Sequence, residues 1–207
     1  VDVVVHGGDV FDRPDVLPSL AYQAYQPLRR VADAGVPVFI VPGNHERSRL
    51  PHTHLLTHPR IQVFDAPRTF MMDVRGVRLA LSGFPYERRD VRTRFRALLQ
   101  ETGWRDVAAD VHVLCVHHCI EGARVGPQDF TFTSARDVIR TADLPPEFCA
   151  TLSGHIHRHQ VLERDLRGGA LPHPVVYPGS IERTATAEIG EPKGYLMLQL
   201  ASGAVRW

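Results

Sequence analysis

Three hydrophobic runs in this chain end beside glycine and hand over at once to Asp, Asn or His. Val3-Val4-Val5 precedes Gly8-Asp9-Val10-Phe11-Asp12, Val38-Phe39-Ile40-Val41 precedes Gly43-Asn44-His45-Glu46, and Thr151-Leu152 precedes Gly154-His155-Ile156-His157. A fourth run, Val111-His112-Val113-Leu114-Cys115-Val116, ends directly in His117. Aliphatic and β-branched runs of this kind read as strands. Polar ligands at the C-terminal ends of strands are where open α/β sheets build their sites. The four ends supply one Asp, one Asn and three to four His without thiolate. That donor set suits Mn, Fe or Zn in a reactive site better than a structural zinc. The pattern points to a dinuclear metallohydrolase.

The intervening sequence alternates between helix and strand. Leu20, Ala24, Leu28, Val31 and Ala32 recur at near-helical spacing, which predicts a helix over Ser19–Ala34 with a kink or break at Pro27. Ala34-Gly35-Val36-Pro37 stops it ahead of the strand Val38–Val41, giving a βαβ unit and hence parallel strands. Arg60–Phe64, Thr69–Asp73 and Val77–Ser82 read as strands, the last two a hairpin around Arg75-Gly76. Asp90–Thr102 reads as a helix through Val91, Phe95, Leu98 and Leu99, and Glu121–Phe132 as loop. Ala150–Leu152, Gln160–Asp165, Val175–Tyr177 and Tyr195–Leu200 complete the predicted strands. No repeat, low-complexity segment or Gly/Ser-rich linker divides the 207 residues, so one domain is expected over 1–207.

The bulk numbers exclude little. A formal net charge of +1 gives no global mark of a nucleic-acid binder. The basic residues are almost all Arg, Lys193 being the single lysine. Arg is the better bidentate phosphate ligand, although genomic base composition produces the same bias. Cys115, Cys119 and Cys149 form no even disulfide framework and fit a reducing cytosol as buried thiols. No signal peptide or apolar run near ~18 residues is present, so a cytoplasmic chain with no membrane partner is expected.

Two divalent ions ~3.5–4 Å apart can clamp the attacking and leaving oxygens of a phosphoester displacement. Holding them so close calls for a bridging carboxylate and neutral ligands that leave positions open. Asp9 is the natural bridge, Asn44 and His117 supply neutral oxygen and nitrogen, and His155 and His157 project from one tight turn.

These same blocks, in this order, resemble the calcineurin-like metallophosphoesterase superfamily. Within it the chain looks like the SbcD-type DNA repair exonucleases, through Asp9-Val10-Phe11-Asp12, Tyr177-Pro178-Gly179-Ser180-Ile181-Glu182-Arg183-Thr184 and Glu191-Pro192-Lys193-Gly194-Tyr195. The resemblance implies a four-layer αββα sandwich of two mixed sheets flanked by helices. It implies that Asp9 bridges both metals, that Asn44, His117 and His155 complete the second metal's shell, and that His157 binds the first. His45 would contact the scissile phosphate and protonate the leaving oxygen; its other reading is a ring satisfied by a neighbouring carboxylate. Glu46 stands where the family accepts Asp or Glu, and Asp12 would brace the loop. Mn²⁺ is the expected metal, with Zn²⁺ or Fe as alternatives.

The family's Asp-x-His motif on a first strand should precede Gly8-Asp9 by several tens of residues, and the chain opens at Val1 inside a strand. The expectation is therefore a fold lacking its first strand and helix, with one metal site incomplete and turnover poor. For the intact protein the resemblance implies hydrolysis of DNA phosphodiesters in repair by a hydroxide held on the dinuclear centre. It further implies a coiled-coil ATPase partner of SbcC type and a homodimer. The rivals are a superfamily phosphodiesterase or phosphatase acting on a small-molecule or protein phosphoester, and a non-catalytic scaffold on a phosphoesterase fold.

Other polar residues have plainer expectations. His118 should face away from the site, and His52, His54, His58 and His159 should lie on the surface. Arg88, Arg89, Arg92, Arg94 and Arg96 should form a solvated face, with a phosphate-tracking strip as the alternative. Glu182 and Arg183 are expected to pair with each other.

Overall fold

The run Val38-Phe39-Ile40-Val41 faces two ways. Val38 and Ile40 are buried with Ala21, Tyr25 and Ala32, while Phe39 and Val41 are buried with Leu79, Leu81, Val111, Val113 and Cys115. Side chains alternate across a strand, so this sheet carries a helix on one face and a second sheet on the other. The run Val111–Val116 repeats the logic. Val111, Val113 and Cys115 join the inner cluster, and Leu114 and Val116 pack outward with Phe95, Leu98 and Leu99. The layers are therefore helix, sheet, sheet, helix, as expected for an αββα sandwich.

The computed structural model describes residues 1–201 and 204–207. β1 (Val4–His6), β2 (Val38–Ile40) and β3 (Ile61–Val63) form the smaller sheet, in that order and parallel throughout. The remaining strands are β4 (Arg68–Val74), β5 (Val77–Gly83), β6 (Val111–Val116), β7 (Cys119–Ile120), β8 (Arg124–Val125), β9 (Phe130–Thr131), β10 (Val138–Ile139), β11 (Ala150–Ser153), β12 (Gln160–Arg164), β13 (Ala170–Tyr177), β14 (Gln199–Ala201) and β15 (Ala204–Arg206). Six of them build the larger sheet in the order β12-β13-β11-β6-β5-β4. Its four inner strands are parallel and its two edges antiparallel. Only this sheet is mixed. The smaller one is joined by crossovers, which link parallel neighbours.

Helix α1 (Pro18–Asp33) covers the smaller sheet, with Pro18 in its first turn, where a missing N–H costs nothing. Pro27 lies inside α1 without ending it. It forfeits one helical hydrogen bond, and the buried face of Ala21, Tyr25 and Ala32 outweighs that loss. Helix α2 (Val91–Glu101) covers the larger sheet, capped by Asp90, whose carboxylate accepts the Thr93 main-chain N–H at 3.2 Å.

Two local expectations are corrected. The stretch 121–132 is not all loop, because β8 and β9 pair as a short antiparallel ribbon. Strands of two residues carry too little periodicity to be seen in sequence. Tyr195–Leu200 is not a sheet strand either; only Gln199–Ala201 pairs, and with β15. The alternation is real, since Tyr195 and Met197 are exposed and their neighbours half-buried, but residues 195–198 have no partner strand among the described residues.

Candidate metal centre

Parallel pairing brings the four polar blocks to one end of the molecule. His6 lies opposite Ile40 at the ends of β1 and β2, and Ser153 lies opposite Val116 at the ends of β11 and β6. The loops that follow are packed too tightly for side chains at Gly8, Gly43 and Gly154. A Cβ on Gly8, whose φ is +95°, would lie 2.3 Å from the Val41 carbonyl oxygen. One on Gly154 would lie 2.0 Å from the Gly7 carbonyl oxygen. Asp9 and His155 themselves hold φ of 52° and 77°. Non-glycine residues rarely adopt that region, and such strain collects where function fixes a side chain.

His117 is buried, and its Nδ1 meets the Gly7 carbonyl oxygen at 2.5 Å. A carbonyl oxygen only accepts, so Nδ1 carries a proton and the ring points Nε2 into the group. That nitrogen faces Asp9 Oδ2 at 3.1 Å and Asn44 Oδ1 at 3.0 Å. His155 Nδ1 closes the group, 2.7 Å from Asn44 Oδ1. One ligand atom each from Asp9, His117 and His155 lies within 4.8 Å of the others. A bare imidazole nitrogen against a carboxylate oxygen is lone pair against lone pair, and only a proton or a metal cation between them makes the contact attractive.

The electrostatics agree. Burial above all, with His117 next, lowers the His155 pKa to about 4, so its ring is neutral at neutral pH. Burial pushes the Asp9 carboxyl upward, but hydrogen bonding and charge from His117, with the His45 amide, hold it below its ordinary value. A carboxylate, an amide oxygen and two imidazoles fit a divalent Mn, Zn or Fe ion.

His45 stands at the rim. Its main-chain N–H donates to Asp9 Oδ1 at 3.0 Å and its Nδ1 meets the Asp12 carbonyl oxygen at 2.9 Å. Nε2 is left 3.9 Å from Asp9 Oδ2. Asp12 thus braces the loop through its backbone, while its carboxylate is exposed 3.8 Å from Arg13. Glu46 is 1% exposed and ties two loops together, its oxygens accepting from the Phe11 and Gly43 amides at 3.2 and 2.9 Å. His157 lies outside the converged group. Its Nδ1 is 2.9 Å from Glu188 Oε1 and 3.1 Å from Thr184 Oγ1.

Three neighbours carried no readable sequence signal. Tyr86, from the loop after β5, packs its ring 6.0 Å from His117 and 5.8 Å from His155, centroid to centroid. His6 accepts the Gly8 amide on Nδ1 at 3.1 Å, and burial, then His117, lower its pKa to about 4. Glu188 sits in a stretch with no motif of its own. His118 is turned away as expected, its Nε2 accepting the Glu87 amide at 3.0 Å.

The two surface expectations fare differently. Arg92 and Arg96 are tied to Glu121 and Asp143 at 2.7 Å each, and Arg94 is paired with Glu87. The arginine run is a solvated face as expected, with Arg88, Arg89, Arg94 and Arg96 exposed, and only the half-buried Arg92 is drawn inward by its pair with Glu121. The Arg183 guanidinium reaches the carbonyl oxygens of Ile189 and Glu191 at 3.3 and 3.2 Å, and the Glu182 carboxylate accepts the Arg183 amide at 2.7 Å. Among the described residues no helix is long and apolar enough to cross a membrane.

A mixed α/β sandwich with carboxylate, amide and imidazole ligands at its strand ends defines the metal-dependent phosphoesterases. The chain belongs to the calcineurin-like phosphoesterase family, whose model matches residues 1–159. Its relatives include the DNA double-strand break repair protein Mre11 of Aeropyrum pernix, 26% identical over 98% of this chain and 49% of that protein. The protein of the same name from Methanopyrus kandleri is 24% identical over 94% of this chain and 43% of its own length. That from Haloferax volcanii is 48% identical over 54 residues, 24% of this chain and 11% of that protein. The chain spans about half the length of the first two. Among solved structures, a hypothetical protein from Thermus thermophilus aligns with 100% of this chain and 85% of its own, at 17% identity and a TM-score of 0.52. That likeness concerns the fold alone.

Proposed function

We propose that residues 1–207 are the phosphodiesterase unit of a DNA-processing nuclease, with Asp9, Asn44, His117, His155 and His157 as metal ligands and His45 as the general acid. The observation that carries this reading is the convergence of Asp9, Asn44, His117 and His155 on one point, with His45 Nε2 beside it. Divalent metal, when bound, supplies charge neutralisation for phosphoryl oxygens and acidified water. Mn²⁺ is the metal proposed.

The chain's own residues do the rest. Asp9 would hold the metal through its carboxylate and is the residue placed to bridge two ions, being the carboxylate of the converged group among the described residues. Asn44 adds a neutral oxygen, so the site keeps enough positive charge to attract a phosphodiester. His45 donates Nδ1–H to the Asp12 carbonyl oxygen, so it would act as an imidazolium whose second proton, on Nε2, passes to the departing oxygen and leaves the neutral ring. Its side chain is about half exposed, as a group that must meet a polymeric substrate has to be. DNA as substrate is supported by the relatives' names and by exposed Arg88 and Arg89 on the loop of Tyr86. A coiled-coil ATPase partner and a homodimer are proposed on the resemblance alone.

The test compares substrates. With Mn²⁺, the chain is expected to hydrolyse both linear duplex DNA and bis(p-nitrophenyl) phosphate at a low but measurable rate, and Asp9→Asn to lose both. Hydrolysis of the small diester with no action on DNA at any salt concentration removes the nuclease reading and leaves a phosphoesterase of another substrate. Tight Mn²⁺ binding with no hydrolysis of either favours a scaffold.

A further inference from the structure

The chain's single lysine is in a place lysine seldom occupies. The Lys193 side chain is only 6% exposed. Its Nζ lies 2.7 Å from Glu188 Oε2 and 3.4 Å from Glu191 Oε2, and donates to the His157 carbonyl oxygen at 3.1 Å. Burying an ammonium is strongly unfavourable unless its donors are met, and here all three have acceptors. The other oxygen of Glu188, Oε1, faces His157 Nδ1 at 2.9 Å and accepts from Thr184 Oγ1 at 3.0 Å. The Thr184 amide, 3.2 Å from Oε2, fixes the carboxylate further. His157 is thus held twice, its ring by Glu188 and its backbone by Lys193, and the two holders form an ion pair.

An ionised carboxylate only accepts, so His157 Nδ1 carries a ring proton, and Nε2 is the nitrogen left for a metal. Metal-ligating histidines characteristically give their second ring nitrogen's proton to a carboxylate, which fixes tautomer and ring orientation. We infer that Glu188 is the positioning residue of His157: it holds the Nδ1–H tautomer and aims Nε2 at the metal centre, with Lys193 and Thr184 locking the carboxylate in place. The inference rests on the proposal that His157 is a metal ligand. It also gives the segment 178–195 a task, since that segment carries Thr184, Glu188 and Lys193 to the site.

The test reads tautomer and metal separately. Long-range ¹H–¹⁵N spectra of the metal-free chain should show His157 as the Nδ1–H tautomer. Removing one member of the ion pair strands the other charge, so both charges are removed together. Glu188→Gln with Lys193→Met keeps an oxygen acceptor and should keep the tautomer. Glu188→Leu with Lys193→Met removes the acceptor and should shift His157 toward Nε2–H. Calorimetric Mn²⁺ titration should show the same split, the Leu variant losing ~10–100-fold in the binding that His157→Ala also weakens. Melting temperatures of the metal-free variants control for folding. A wild-type His157 with Nε2–H, or a Leu variant that keeps both tautomer and metal affinity, overturns the inference. If His157→Ala binds Mn²⁺ as the wild type does, the ligand assignment fails and the claim that Glu188 aims a ligand falls with it; the tautomer spectra still show which residue orients the ring.

Discussion

His117 points its Nε2 at Asp9 Oδ2 from 3.1 Å, while its Nδ1 proton is committed to the Gly7 carbonyl oxygen. The contact joins the ends of β1 and β6, which belong to different sheets. Filling the gap with a cation therefore stitches the two sheets together at their open end. Mn²⁺ is expected to raise the melting temperature of the chain in a concentration-dependent way, as any ligand of the native state does. His117→Ala should abolish that rise. Scanning calorimetry with and without Mn²⁺ makes the comparison, and an undiminished rise in the variant would place the ion elsewhere.

His45 should separate binding from chemistry. Since its contacts are to a backbone carbonyl and, through its amide, to Asp9, His45→Ala is expected to leave Mn²⁺ affinity nearly unchanged. Removal of general acid help typically costs ~10²–10⁴ in rate. Parallel titration and diester hydrolysis check both halves, and a variant that loses its metal makes His45 a ligand instead.

Exposed Arg88 and Arg89 should act on DNA without acting on the small diester. Replacing both with Ala is expected to weaken DNA binding and to reduce the steepness of its salt dependence, by ~0.9 for each phosphate no longer neutralised. Arg92→Ala, by contrast, breaks the pair with Glu121 and should show first as a lower melting temperature. Filter-binding at several salt concentrations reads the first effect and thermal denaturation the second.

Acid should destabilise the metal-free chain through its buried imidazoles. Burial lowers the pKa of His173 to about 4, and of His6 and His155 likewise, from an unfolded value of 6.5. Between these values the unfolded chain binds more protons than the native one, so stability rises with pH across that window. It is complete above pH 6.5 and is lost as pH falls toward 4. His173 lies away from the metal ligands, bonded to Thr151 Oγ1 at 2.7 Å. His173→Gln should flatten the pH profile of unfolding by about one proton's worth, and an unchanged profile would show that His173 is already charged when folded.

The strand ends were the readable part of the sequence. Asp9, Asn44, His117 and His155 could be picked out because each follows a hydrophobic run, and parallel pairing then brings their ends together. The layering was legible for the same reason, since alternation in Val38–Val41 and Val111–Val116 assigns each residue a face. What stayed hidden depends on the meeting of distant segments. Glu188 and Tyr86 reach the site from loops whose local sequence has no periodicity, and the pairings of Arg92 and Arg96 need the positions of Glu121 and Asp143. Pro27 misleads because a local rule about proline yields to the packing of a whole helical face.

The central claim, that four strand-end residues form one cation site, is tested most directly by a crystal structure of the chain soaked in Mn²⁺ with anomalous diffraction data. The account predicts an anomalous peak within ~2.0–2.2 Å of an Asp9 carboxylate oxygen, Asn44 Oδ1, His117 Nε2 and His155 Nδ1. His117 should still donate Nδ1–H to the Gly7 carbonyl oxygen. A peak bound by other residues, or none among these four at saturating Mn²⁺, would contradict it.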